Sequence, residues 1–189
     1  MIHFFNSSTL PRTLWRNGGG ETQEIISFPP GGKTFSWRLS IATLARDGAF
    51  SLFPGVDRII TLLEGDGVTL TAREKYSQSL RHGCPFAFAG EDEVFARLAG
   101  GGSSGFNIMT RRATHQASTS CCRESFAFST REAGVLCVLT GKWLLGDSVL
   151  LKGQGVWWES GATLRLTACG DALLLYGEIR AKPQDVEPE

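Results

Sequence analysis

Residues 47–65 read Asp47-Gly48-Ala49-Phe50-Ser51-Leu52-Phe53-Pro54-Gly55-Val56-Asp57-Arg58-Ile59-Ile60-Thr61-Leu62-Leu63-Glu64-Gly65. Within this stretch Arg58 opens a strand that runs apolar to Leu63 and stops at a turn glycine, Gly65. A guanidinium at the head of such a strand needs a partner if it is buried. Upstream, Phe35 to Ile41 alternates: Phe35, Trp37, Leu39 and Ile41 share one face, and Ser36, Arg38 and Ser40 share the other. Downstream the pattern predicts strands at Val68–Ala72, Phe86–Ala89, Val94–Leu98 and Phe106–Arg111. The glycine-rich Gly100 to Gly105 reads as a mobile hairpin loop between the last two. With 23 glycines and 7 prolines as punctuation and no long helical period, the chain is all-β.

The spacing in residues 47–65 outlines the first metal-binding strand pair of a cupin barrel. That pattern is His-x-His-x-x-x-Glu followed by a turn glycine. Counting back from Gly65 puts the ligand positions near Leu52, Pro54 and Arg58. Two non-coordinating side chains and a guanidinium offer no donor to a divalent cation. Arg58 instead sets a permanent positive charge there, which suits an anion. Glu93 falls where the fourth ligand, a histidine, would stand, so an Arg58–Glu93 ion pair competes with ligand binding as the reading of Arg58.

After a polar connector, Thr114 to Ser120, the pattern restarts. Val135 to Gly141 echoes Ile60 to Gly65, and Val156 to Gly161 echoes Phe86 to Gly90. The similar offsets suggest an internal duplication. The expected architecture is a bicupin, two double-stranded β-helix barrels of the RmlC type in one chain. The N-terminal barrel spans residues 1–115 and carries the pocket; a smaller one spans 116–181, with its last strand near Ala172–Ile179. Residues 182–189 read as a disordered tail. A single β-sandwich would explain the strands but not the repeat.

Composition excludes several functions. Hydrophobic residues make up 42% of the chain and charged residues 20%, and the formal net charge is zero. Nothing therefore draws the chain to nucleic acid or to an anionic membrane. No apolar run approaches the roughly 20 residues of a membrane span, and the opening Met1 to Asn6 shows neither a basic n-region nor a long apolar h-region, so secretion is not expected. A cytoplasmic location is expected, with the five cysteines reduced and mostly buried. The three histidines, His3, His82 and His115, are scattered, so neither metal nor cofactor is expected. Two motif matches in Gly100–Gly105, a dinucleotide loop and a nucleophile elbow, lack the helix that either requires.

The densest polar constellation is Trp15-Arg16-Asn17-Gly18-Gly19-Gly20-Glu21-Thr22. Consecutive glycines can turn their N–H groups toward an anion, while Trp15 and Asn17 supply an apolar wall and directional hydrogen bonds. Arg38 and Ser40 stand two residues apart on one strand face, where Arg38 could grip a carboxylate. Asn107, Met109 and Arg111 likewise fall together. The candidate ligand-binding residues are thus Trp15, Asn17, Gly18, Gly19, Arg38, Ser40, Arg58, Asn107 and Arg111, with no catalytic residue assigned. Against this stands a metal-independent isomerase or lyase using Glu93 or His82 as base, or an interaction module with a vestigial pocket.

The segments Trp-Arg-Asn-Gly-Gly-Gly-Glu-Thr (15–22), Trp-Arg-x-Ser-Ile-Ala (37–42), Asp-Gly-x-Phe-Ser-x-Phe-Pro-Gly-x-Asp-Arg (47–58), Leu-Leu-Glu-Gly (62–65) and Phe-Asn-Ile-Met-Thr-Arg-Arg (106–112) resemble the HutD/Ves family. Within it the chain is most similar to the Ves branch of environmental stress-induced proteins. The resemblance implies a cytoplasmic bicupin without established catalysis. HutD members accompany histidine-utilisation genes, and the expected partner is a small organic acid such as formylglutamate, bound as a brake on the pathway. Self-association into a homodimer is left open. One departure stands out: the family usually has Asp before Phe-Asn-x-Met, and here Gly105 takes that place.

Overall fold

In a computed structural model, which describes residues 1–184, the chain forms strands and, among those residues, no helix. In chain order they are β1 (Ile2–Asn6), β2 (Thr13–Leu14), β3 (Gly20–Phe28), β4 (Trp37–Leu44), β5 (Gly48–Ala49) and β6 (Val56–Glu64). There follow β7 (Val68–Ala72), β8 (Tyr76–Ser79), β9 (Phe86–Ala89), β10 (Val94–Leu98), β11 (Ser103–Arg111) and β12 (His115–Cys122). The last are β13 (Phe126–Thr130), β14 (Ala133–Leu145), β15 (Ser148–Leu151), β16 (Gln154–Trp158) and β17 (Ala162–Ala181).

They assemble into three sheets. A six-stranded sheet runs β2-β3-β4-β11-β6-β9, and a four-stranded sheet runs β5-β10-β7-β8. A seven-stranded sheet has the order β1-β16-β14-β17-β12, with β13 on β17 and β15 on β14. Alternation at period two divides the side chains among three apolar layers. Trp37, Leu39 and Ile41 of β4 and Phe106 and Ile108 of β11 meet Val135, Cys137 and Leu139 of β14 and Leu173 and Leu175 of β17. This layer welds the six- and seven-stranded sheets face to face. The opposite faces close two further cores. Ile60 and Leu62 of β6 pack with Leu70, Val94 and Phe88, while Leu136 and Val138 of β14 pack with Trp143, Trp158 and Leu174. Each fully buried Leu or Ile contributes about 1.5–3 kcal/mol, so strands buried on both faces, such as β11 and β14, anchor the molecule.

The structure departs from the sequence reading in several places. The segment Thr114–Ser120 is no connector; it lies almost wholly within β12, because β17 offers a complete partner from His115↔Ala181 to Cys122↔Leu174. Ser103 to Gly105 belongs to β11, clamped between β4 and β6, and not to a mobile loop. The expected last strand is the end of a much longer one, β17. The glycine echo is also altered: Gly65 sits in a turn, whereas Gly141 lies inside β14 at a break in register with β17. Its φ is +76°, and a Cβ there would lie 2.3 Å from the Asp171 carbonyl oxygen, so only glycine lets the long strands bend together.

Within the span expected for the N-terminal barrel, β1 pairs with β16 and so joins the seven-stranded sheet. Lys182 is held by its N–H on the Thr114 carbonyl and its Nζ on that of Arg112, not frayed; residues 185–189 of the expected tail lie outside the described residues. Of the cysteines only Cys137 is fully buried, and Cys84 is exposed.

Candidate ligand-binding site

Strand register lays out the site. Arg38 on β4 and Arg58 on β6 are both partners of Met109 on β11, forming a row across three strands. The next row is Ser40, Asn107 and Ile60, and the one beyond is Ala42, Gly105 and Leu62. These rows face away from the layer holding Trp37, Leu39, Phe106 and Ile108. They floor a cavity of about 440 Å³ whose walls include Arg38, Ser40, Arg58, Asn107 and Met109. Phe50, Ser51 and Phe53 close one side, and Leu14, Trp15, Arg16 and Asn17 form the mouth.

Arg58 is the centre of this arrangement. It is only 6% exposed, yet no carboxylate contacts it among the described residues. Its Nη2 donates to Asn107 Oδ1 at 3.1 Å, and its buried Nε has no partner. The guanidinium carbon lies 4.9 Å from the Phe88 ring centroid, 5.2 Å from Phe50 and 5.4 Å from Phe53. Cation–π attraction offsets part of the desolvation, roughly 0.5–2 kcal/mol per ring, but supplies no counter-charge. Burial, with a smaller push from Arg38, accordingly lowers the Arg58 pKa to about 10. The competing reading, an Arg58–Glu93 pair, does not form: Glu93 is exposed, and its neighbour Asp92 turns inward to Lys75 and Tyr76 instead.

Arg38 is placed differently. Its Nε donates to Glu24 Oε1 at 3.0 Å, so it meets the cavity already carrying a counter-ion. Trp15 is fixed by Nε1 donating to Thr22 Oγ1 at 2.8 Å and by Gly20, where a Cβ would come within 3.0 Å of the indole ring.

Three of the nine candidates lie outside the cavity wall. The Gly18 N–H donates to the Trp15 carbonyl at 3.0 Å and the Gly19 N–H to Asn17 Oδ1 at 2.8 Å. Both amides are thus consumed within the loop, which shapes the mouth but forms no anion nest. Arg111 lies beyond the start of β4, where its Nε donates to the Phe35 carbonyl at 3.0 Å. Trp15, Asn17, Arg38, Ser40, Arg58 and Asn107 do converge on the cavity. Sequence reasoning nominated neither Phe50 nor Phe53, which stand outside any strand and show no periodicity. Met109 could have been found, since it shares a face with Asn107.

Leu52, Pro54 and Arg58, the residues expected near the cupin metal positions, offer no donor to a cation. Among the described residues no three His, Cys, Asp or Glu side chains are grouped to hold one. The cavity wall contains three arginines and no Asp, Glu, His or Cys, so neither Glu93 nor His82 is available there as a base. A second cleft, of about 430 Å³, is lined by charges that already neutralise each other, Arg12 with Glu21 at 2.7 Å and Lys152 with Glu64 at 3.1 Å. Of these two, the first holds the unbalanced charge.

These features define an all-β, cupin-like protein with a cavity whose wall carries three arginines. The chain belongs to the HutD family, whose pattern matches residues 7–176. It is 44% identical over 184 residues to protein Ves of Citrobacter koseri, covering 96% of each chain. To protein Ves of Cronobacter sakazakii it is 42% identical over 180 residues, 94% of this chain and 98% of the other. The solved structure of HutD from Pseudomonas fluorescens SBW25 matches with a TM-score of 0.85 at 26% identity, covering 97% of this chain and all of that one. YlbA of Escherichia coli, at 12% identity and a TM-score of 0.74 over 99% of this chain and 93% of its own, shares the fold alone.

Proposed function

We propose that this protein binds a small organic acid in the cavity of its first barrel and performs no chemistry on it. One observation carries the reading: Arg58, a cation almost wholly removed from water, has an unpartnered Nε and no carboxylate. Breaking a buried ion pair by removing one partner costs about 3–5 kcal/mol; a fold that tolerates the unpaired half gains much of that back when an anion enters. Ser40 and Asn107, side by side in the second row, add directional hydrogen bonds. A lyase or isomerase needs a base within hydrogen-bond reach of its substrate, and the wall contains no carboxylate, imidazole or thiol. A cytoplasmic regulator of histidine utilisation or of a stress response, which senses the concentration of such an acid, fits a pocket of this kind.

Thermal denaturation against a panel of carboxylates, formylglutamate and urocanate among them, tests the proposal. An acid at 100 times its dissociation constant adds about 2.7 kcal/mol of stability. No shift from any acid at millimolar concentration would refute it.

A further inference from the structure

We infer that Glu24 acts as the cavity's own second carboxylate, so that the site selects acids with one anionic group and an apolar or aromatic body over compact dicarboxylates. This rests on the reading that the cavity binds an organic acid, and goes on to say which kind.

The device is a β-bulge. Pairing of β3 with β4 passes from Glu24↔Ser40 to Ile26↔Leu39, leaving Ile25 unpaired. Residues three apart on a regular strand point to opposite faces; the extra residue turns Ser27 to the side of Glu24. Ser27 Oγ then donates to Glu24 Oε1 at 2.7 Å, and Arg38 Nε donates to the same oxygen at 3.0 Å. Glu24 is itself outside the cavity wall, so it neutralises Arg38 from behind without taking up ligand space.

Of the three arginines in the wall, Arg16 is exposed at the mouth, where water screens it. Arg38 is paired. One buried charge, Arg58, is left to be met, and a single anionic group meets it. The rest of the wall is mixed: Ser40, Ser51 and Asn107 offer hydrogen bonds, while Trp15, Phe50, Phe53 and Met109 supply an apolar part, and Leu14 stands 76% exposed at the mouth. At about 30 Å³ per water, the 440 Å³ cavity has room for about fifteen. A bare dicarboxylate would leave much of that apolar surface wet and bring a second charge with no unpaired cation to receive it.

Calorimetric titration of 3-phenylpropionate and of glutarate into the full chain and into its E24Q variant tests this. Glutamine keeps an oxygen for Ser27 and Arg38, and the site is half exposed, so folding is preserved. The wild type should bind phenylpropionate at least about tenfold more tightly than glutarate. E24Q should shift the ratio toward glutarate by about tenfold, the effect of one hydrogen bond to a charged group. Glutarate binding the wild type as tightly as phenylpropionate, or a ratio unmoved by E24Q, overturns the role of Glu24 while leaving acid binding intact. If neither acid nor any member of the carboxylate panel binds the wild type, the underlying reading falls as well.

Discussion

Arg38 and Arg58 confront each other across Met109, both in register with it, on strands two apart in the same sheet. Two strand spacings separate their backbones by about 10 Å, close enough that Arg38 helps to depress the Arg58 pKa. Stability alone gives no reason for that pairing. Like charges repel, and burying Arg58 adds desolvation to the repulsion. The arrangement makes sense as a surface that awaits a negative partner, with Glu24 moderating one side and nothing moderating the other.

The first prediction concerns Arg58→Met. Methionine keeps most of the volume between Phe50, Phe53 and Phe88 while removing the buried charge. Replacing buried ions by apolar groups is commonly neutral or stabilising. The variant should therefore match or exceed the parent by about 1 kcal/mol in urea denaturation, and lose all stabilisation by acids. A variant that unfolds more easily yet still responds to acids would mean that Arg58 is a structural residue.

Asn107→Asp makes the converse change. A carboxylate in place of the amide that accepts from Arg58 Nη2 at 3.1 Å converts a hydrogen bond into an ion pair. The unliganded protein should gain about 1 kcal/mol or more, and affinity for acids should fall at least about tenfold as the internal carboxylate competes. Urea midpoints together with calorimetry read both effects. Undiminished acid affinity would place the anion away from Arg58.

The Arg58 pKa also predicts a pH profile. For a base, a folded-state value lowered to about 10 means that the fold disfavours the charged form. That penalty is present at every pH below about 10 and fades as pH climbs toward the ordinary arginine value, so this group's contribution to unliganded stability improves across that alkaline window. Acid binding runs the other way, because it needs the charge. Affinity should be flat near neutrality and fall by about tenfold per pH unit once pH passes Arg58's value. Titration calorimetry in alkaline buffers checks it; a flat profile well above that value would show that Arg58 does not seat the anion.

Much of this arrangement was legible before any coordinates. β7, β9 and β10 fall on the residues that alternation and flanking glycines mark out, and Arg38, Ser40, Arg58 and Asn107 were readable as polar positions interrupting apolar strands. What stayed hidden depends on partners distant in sequence. His115 to Cys122 is small and polar, and becomes a strand only because β17 lies alongside it. Phe50 and Phe53 are recruited by the cation they surround, which local sequence does not encode. Gly18 and Gly19 looked like an anion nest because the carbonyl and side-chain acceptors that occupy their N–H groups are supplied by the loop's own closure.

Gly105, where the resemblance to the family leads to the expectation of Asp, offers the last test. Its position on the cavity-facing side of β11 is filled by a neighbour: a Cβ there would lie 2.9 Å from both Cδ1 and Cγ1 of Ile60. Ile60 thus occupies the space that a side chain at position 105 would need. Gly105→Ala should cost about 1–3 kcal/mol through overpacking. Combining it with Ile60→Val, which withdraws the Cδ1 methyl and leaves Cγ1 free to turn away, should recover part of the loss, so that the two changes are non-additive in a double-mutant cycle. Ile60→Val alone costs about 0.5–1.5 kcal/mol, and the double variant should lose less than the sum of the two single losses. Additive losses measured by urea denaturation would show that the tight approach of Ile60 is not what excludes a side chain at this position.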